Sequence, residues 1–145
     1  MKVKIKKLRP EAILPAYAHP GDAGMDLCNA GPDVSLEPLG RALVPTGLGV
    51  EIPQGYELQV RPRSGLALKK GLTVLNSPGT IDSGYRGEIG VIVFNSDPRS
   101  RAVIKNGERV AQLVLKSVEI IEWEQSSVLE ASAREAGGFG STGSH

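Results

Sequence analysis

Cysteine, histidine and aromatic side chains are all scarce in this chain. One cysteine, Cys28, among 145 residues rules out an internal disulfide, so the fold carries no covalent staple and suits a reducing compartment. One Cys and two His leave no cluster with zinc or iron spacing. Any metal here is therefore expected to be a hard cation on oxygen ligands, brought in with phosphates as Mg²⁺ usually is. No apolar run reaches membrane length, and none has the form of a signal peptide's core, from which a soluble, cytoplasmic protein is expected. A dominant charge is missing too: 17 Lys+Arg face 16 Asp+Glu, so no broad field for DNA or acidic lipid is indicated, and a bound polyanion should be small.

Glycine and proline, by contrast, are plentiful, at 18 and 10 residues, and they punctuate apolar segments rather than forming one tract. This spacing disfavours a disordered chain. Apolar and polar residues alternate in VKIKKL (3–8), YELQVRPR (56–63) and EIGVIVFN (88–95), the period of strands with one buried face. RALVPTGLGVEIP, LTVLN, RAVIKNGERVAQLVL and VEIIEWEQ read the same way, rich in β-branched residues. One short helix is expected over SGLALKK (64–70), with Ser64 as its cap and Gly71 as its stop. Asn106-Gly107, between two β-rich runs, is a strong hairpin signal. Without helical crossovers the class is all-β: an antiparallel jelly roll or distorted barrel. Residues 1–133 are expected to form this single domain, and 134–145 a C-terminal arm.

Several residues could carry chemistry. PRSGLA (62–67) places Arg63, Ser64 and Gly65 at a strand end, where a helix start and a guanidinium can face an anion; a capped turn with a solvated Arg is the bland reading. Asp82, in VLNSPGTIDSGYRGE (74–88), stands at a strand corner, where it can serve as a general base or simply accept hydrogen bonds from its own turn. Asp26, in AGMDL (23–27), can face a hard cation or pair with an Arg. Gln112 shares the strand GERVAQL (107–113) with Arg109. Arg134 and Phe139 flank the glycines of GGFGSTG (137–143) and offer a charge for phosphate and a face for a base. That glycine-rich run has almost no chain behind it to form the helix that usually follows a phosphate loop. Cys28, Trp123 and Phe94 read as core, His19 and His145 as solvated. The run Lys2, Lys4, Lys6, Lys7 and Arg9 reads as a solvated strand edge.

AGMDL, PRSG, NSPGTIDSGYRGE, GERVAQL and REAGGFGSTG, in this order from residue 23 to 143, resemble the five motifs of the trimeric dUTPase family. Each pattern is weak alone, and the ordered set is very specific. The resemblance implies a jelly-roll homotrimer whose active sites are assembled between subunits, with dUTP as substrate and no nucleic-acid or membrane partner. It implies that Asp82 activates a water that attacks the α-phosphorus, giving dUMP and pyrophosphate, which keeps uracil out of DNA and supplies dUMP for thymidylate synthesis. Asp26 would reach Mg²⁺ through water, and Arg63, Ser64, Gly65 and Gln112 would orient the phosphates. The turn through Asn76, Gly79, Thr80 and Ile81 would read uracil, with Tyr85 beneath the deoxyribose, where a 2′-hydroxyl would clash. Arg134, Phe139, Gly140, Ser141 and Thr142 would close over the nucleotide as a lid.

Two other functions compete. The related dCTP deaminase family shares the fold and works on the pyrimidine ring instead of phosphorus, but the PRSG and GGFGSTG forms match the pyrophosphatase side. A nucleotide-sensing module that binds dUTP as a switch would not need Asp82, Ser64 and Arg134 all intact.

Overall fold

The computed structural model describes residues 1–133 and 135–137. Eleven strands and one helix follow in order: β1 (Lys4–Lys7), β2 (Gly24–Cys28), β3 (Val34–Leu36), β4 (Arg41–Pro45), β5 (Leu48–Glu51), β6 (Tyr56–Arg61), α1 (Ser64–Lys70), β7 (Leu72–Val74), β8 (Gly79–Ile81), β9 (Gly90–Asn95), β10 (Ala102–Ile104) and β11 (Arg109–Ser117). Every ladder is antiparallel. The largest sheet runs β2-β11-β6-β8; β4-β9-β7 forms a second, and β1-β5 and β10-β3 form two smaller pairs. The ladders do not close into a barrel, and the arrangement is the expected all-β jelly roll.

Alternation explains which faces meet. In β9, Val91, Val93 and Asn95 point inward while Gly90, Ile92 and Phe94 are half-exposed. Leu27, Leu48, Leu72, Ile89, Ile104 and Leu113 fill the space between the sheets, each almost wholly buried. Asn95 is buried with them and replaces the missing covalent staple locally. Its amide donates to the carbonyls of Glu37 at 3.1 Å and Ser100 at 2.9 Å, and its Oδ1 accepts the Asp97 N–H at 3.1 Å, so the loops after β3 and after β9 are tied to one strand end. Among the described residues no buried side-chain polar atom lacks a partner, and no helix is long and apolar enough to cross a membrane.

Four local expectations need correcting. Asn106-Gly107 does make a tight turn, with Glu108 N–H to Lys105 O at 3.1 Å, but β10 and β11 do not pair with each other. Only Gly107 is left-handed (φ 74°), whereas a two-residue hairpin of the favoured twist needs positive φ at both central positions. The strands therefore splay, β10 to β3 and β11 to β2 and β6. The Asn76 turn behaves alike: β7 pairs with β9 and β8 with β6, so the segment crosses between sheets. At α1, Arg63 is the cap position and Ser64 the first helical residue, with Gly71 at φ 64° ending the helix as expected. Finally, VEIIEWEQ forms no strand, and Trp123 is 87% exposed instead of core. The alternation is there, but no strand among the described residues pairs with it to complete its hydrogen bonds.

Candidate active site

β2, β11 and β6 lie side by side, which brings Asp26, Gln112 and Arg61 into register. Around Asp26 the candidates for phosphate and metal gather. Its Oδ1 accepts from Arg63 Nε at 2.8 Å and its Oδ2 from Arg109 Nη1 at 3.2 Å. Gln112 lies across Gly24, where a methyl group would come within 2.5 Å of its Oε1, and donates to the Pro62 carbonyl at 2.9 Å. Ser64 and Gly65 are exposed at the start of α1, which has no side-chain cap and no acidic residue in its first turn. Its leading N–H groups thus have no side-chain partner, which suits an anion.

Arg109 reaches this face because β11 is irregular. Three positions separate it from Gln112, which in a regular strand would send the two side chains to opposite faces. A β-bulge between Arg109 and Ala111 sets Arg109 opposite Cys28 while Gln112 stays opposite Asp26, and the extra residue restores a common face. Beneath the cluster, burial pushes the Cys28 thiol up, and the Asp26 carboxylate adds to this. Cys28 is thereby kept as a protonated, buried thiol and not as a nucleophile.

The second group of candidates lies elsewhere on the same sheet. Asp82 follows β8 and is exposed; its backbone carbonyl accepts the Tyr85 N–H at 3.1 Å, while among the described residues its carboxylate has no hydrogen-bond partner. The carboxylate is thus not spent on its own turn. It opens onto a cavity of about 290 Å³ lined by Leu43, Thr80, Ile81, Asp82, Tyr85, Glu88, Gly90 and Ile92. Gly79 is buried against Asn76, where a Cβ would meet Asn76 Nδ2 at 3.3 Å and Val60 Cβ at 3.4 Å, so a side chain there would crowd the turn. A more open groove of about 470 Å³ beside β1 and β5 contains none of the candidates.

The register measures the gap between the two groups. Ile81 faces Leu58, which puts Asp82 near the Glu57 end of β6, whereas Asp26 aligns through Gln112 with Arg61 at the other end, three strands across. Four residues along the strand and three ladder spacings across it amount to roughly 20 Å. Arg134, Phe139, Gly140, Ser141 and Thr142 fall outside the described residues. Sequence reasoning missed Arg109 as a partner of Asp26, along with Arg9, Leu43 and Glu88 around Tyr85. Arg109 depends on the bulge, and Arg9 and Leu43 come from segments far along the chain from Tyr85, which no local pattern encodes.

For Mg²⁺, the oxygen donor of Asp26 is of the right chemistry, and no group of three acidic, His or Cys side chains among the described residues could cage an ion directly. An ion ligated chiefly by triphosphate and water, with one carboxylate behind the water, fits these residues.

Residues 10–143 match the family model described as dUTPase. The deoxyuridine 5′-triphosphate nucleotidohydrolase of Wolinella succinogenes is 54% identical over 143 residues, covering 99% of this chain and 95% of that one. The enzyme of the same description from Thermobifida fusca is 52% identical over 145 residues, covering 100% and 80%. Among solved structures, a mutant dUTPase of Staphylococcus bacteriophage 80alpha with dUpNHpp superposes with a TM-score of 0.89 at 30% identity over 99% of both chains. A mutant dUTPase of phage phi11 of S. aureus, described as coordinating a structural Mg(II) ion, gives 0.83 at 28% identity over 90% of this chain and 100% of that one.

Proposed function

The chain belongs to the dUTPase family, and from that premise we propose how its residues divide the hydrolysis of dUTP to dUMP and pyrophosphate. Asp82 holds and deprotonates the water that attacks the α-phosphorus. The observation that carries this role is its carboxylate, exposed at a cavity wall with no competing partner among the described residues. Arg63, Gln112 and the first N–H groups of α1 hold the triphosphate oxygens, with Ser64 and Gly65 at the point of closest approach. Asp26, steadied by Arg63 and Arg109, is the residue that would reach Mg²⁺ through water; when bound, the ion neutralises and orients the triphosphate. Asn76, Gly79, Thr80 and Ile81 read uracil by hydrogen bonds, and Tyr85 lies under the deoxyribose.

A general base must come within roughly 3 Å of the water it activates, and the phosphate-holding groups must touch the same substrate. A gap of roughly 20 Å within one chain favours a site built from Asp82 of one copy and Asp26, Arg63 and Gln112 of another, in a homotrimer. The exposed Ile120, Ile121 and Trp123 support this, since a strand-like apolar segment with no pairing strand among the described residues is suited to a neighbouring copy.

Pyrophosphate release assayed with dUTP, dCTP, dTTP and UTP tests the reaction. We expect turnover of dUTP far above the others, lost with excess EDTA and restored by Mg²⁺. Ammonia released from dCTP would point to the deaminase instead. On sequence grounds Arg134, Phe139, Gly140, Ser141 and Thr142 cover the nucleotide. Deleting residues 134–145 should therefore lower kcat/KM for dUTP strongly and leave thermal unfolding nearly unchanged. Full activity in the truncated protein would remove the arm from the site.

A further inference from the structure

Tyr85 is 43% exposed, yet its ring is held from two sides. The hydroxyl donates to the Glu88 carbonyl at 2.8 Å. The ring lies across Gly87, where a methyl group would come within 2.5 Å of Tyr85 Cζ and 2.9 Å of Cε2, so only a residue without a side chain allows this approach. Glu88 is in turn clamped. Arg9 Nε donates to Oε1 at 2.8 Å, Arg9 Nη2 donates to Oε2 at 3.1 Å, and the Gly47 N–H donates to Oε1 at 2.8 Å. The forked pair fixes the carboxylate in a plane, and the Arg9 guanidinium holds that carboxyl below the usual range, with the Gly47 N–H helping. The next residue is anchored as well, with Ile89 N–H to Leu48 O at 2.8 Å and the Thr46 hydroxyl to Ile89 O at 2.6 Å.

We propose that Arg9, Gly87 and Glu88 form the seat that positions the Tyr85 ring, and that this seat sets how strongly the site rejects a ribonucleotide, acting through the ring. The inference rests on the reading above that Tyr85 lies beneath the deoxyribose. Steric rejection of one hydroxyl depends on a wall that does not yield, and a ring free to swing would leave room for the extra oxygen. The Arg9–Glu88 pair is partly open to solvent, its side chains 42% and 28% exposed, and its two parallel bonds fix the carboxylate's orientation more firmly than a single contact would. What the pair supplies is geometry.

The test is the ratio of kcat/KM for dUTP over UTP in the full-length, Mg²⁺-loaded enzyme. Arg9→Met should narrow that ratio by roughly tenfold, and Arg9→Lys, which loses the fork but keeps the charge, should narrow it less. Gly87→Ala attacks the seat from the other side with the ion pair intact, and should narrow it similarly even if Arg9→Met folds poorly. Lys4→Met, which removes the exposed Lys4–Glu51 pair at 3.0 Å, should leave the ratio unchanged. In a Tyr85→Ala background neither Arg9→Met nor Gly87→Ala should narrow the ratio further, because their effect runs through the ring. A wild-type ratio in both Arg9→Met and Gly87→Ala, or an equal drop with and without Tyr85, overturns the inference while dUTP hydrolysis stands. An unaltered ratio in Tyr85→Ala itself removes the sugar role together with its seat, and a wild-type chain that releases no pyrophosphate from dUTP removes the functional reading beneath both.

Discussion

Asp82→Asn is expected to fold, bind dUTP nearly as the wild type does, and turn it over roughly 10²–10⁴-fold more slowly. The substitution keeps the size of the side chain and removes only its basicity. Because the carboxylate has no hydrogen-bond partner among the described residues, and the local turn is made by its backbone carbonyl to the Tyr85 N–H, no structural contact is lost with the charge. A steady-state measurement of pyrophosphate release, with Kd for a non-hydrolysable analogue taken in parallel, separates chemistry from binding. Turnover close to wild type would show that another group activates the water.

Two inactive proteins should make an active one. Arg63→Ala alone should lower kcat/KM by roughly 10²–10³-fold, since it removes a positioned charge from the developing phosphate anion and leaves Asp26 with only Arg109. If Asp82 and Arg63 serve a site from different copies, co-expressing Asp82→Asn and Arg63→Ala chains with different tags and isolating the mixed assemblies should recover a large share of the lost activity. In each mixed trimer one of the three sites, about a third of the total, would draw both wild-type residues. Recovery no greater than the sum of the two parents, in assemblies shown to contain both chains, would place the whole site in one subunit.

Where the sequence could be read correctly, the information was local. The helix Ser64–Lys70 and its stop at Gly71 follow from spacing and one left-handed glycine, and the alternation in β6 and β9 reports directly which residues face the core. The ordered motifs brought Asp26, Arg63, Asp82, Tyr85 and Gln112 forward as candidates. What escaped was set by partners far along the chain. Asn106-Gly107 looks like a hairpin because its residues favour one, yet only Gly107 adopts the left-handed conformation and the strands leave for different sheets. Trp123 looks like core because core is where Trp usually goes, but no surface among the described residues covers it, and it stays 87% exposed. Arg9 looks like one more cation in a basic run, and its meaning comes from Glu88, 79 residues away.

The bulge in β11 has a consequence for how this protein can change over time. In an even ladder, losing or gaining one residue inverts every side chain beyond the break, so length is constrained along with identity. Here the chain already carries one residue out of step between Arg109 and Ala111, and the face that holds Asp26 depends on it. A descendant that kept every residue but paired β11 evenly with β2 would turn Arg109 away from Asp26, whereas one that lost the extra residue would keep Arg109 and Gln112 on one face of a straight ladder. The spacing between Arg109 and Gln112 and the bulge that absorbs it are therefore inherited together, and a change in one alone moves a side chain off the face without changing a single letter of the site.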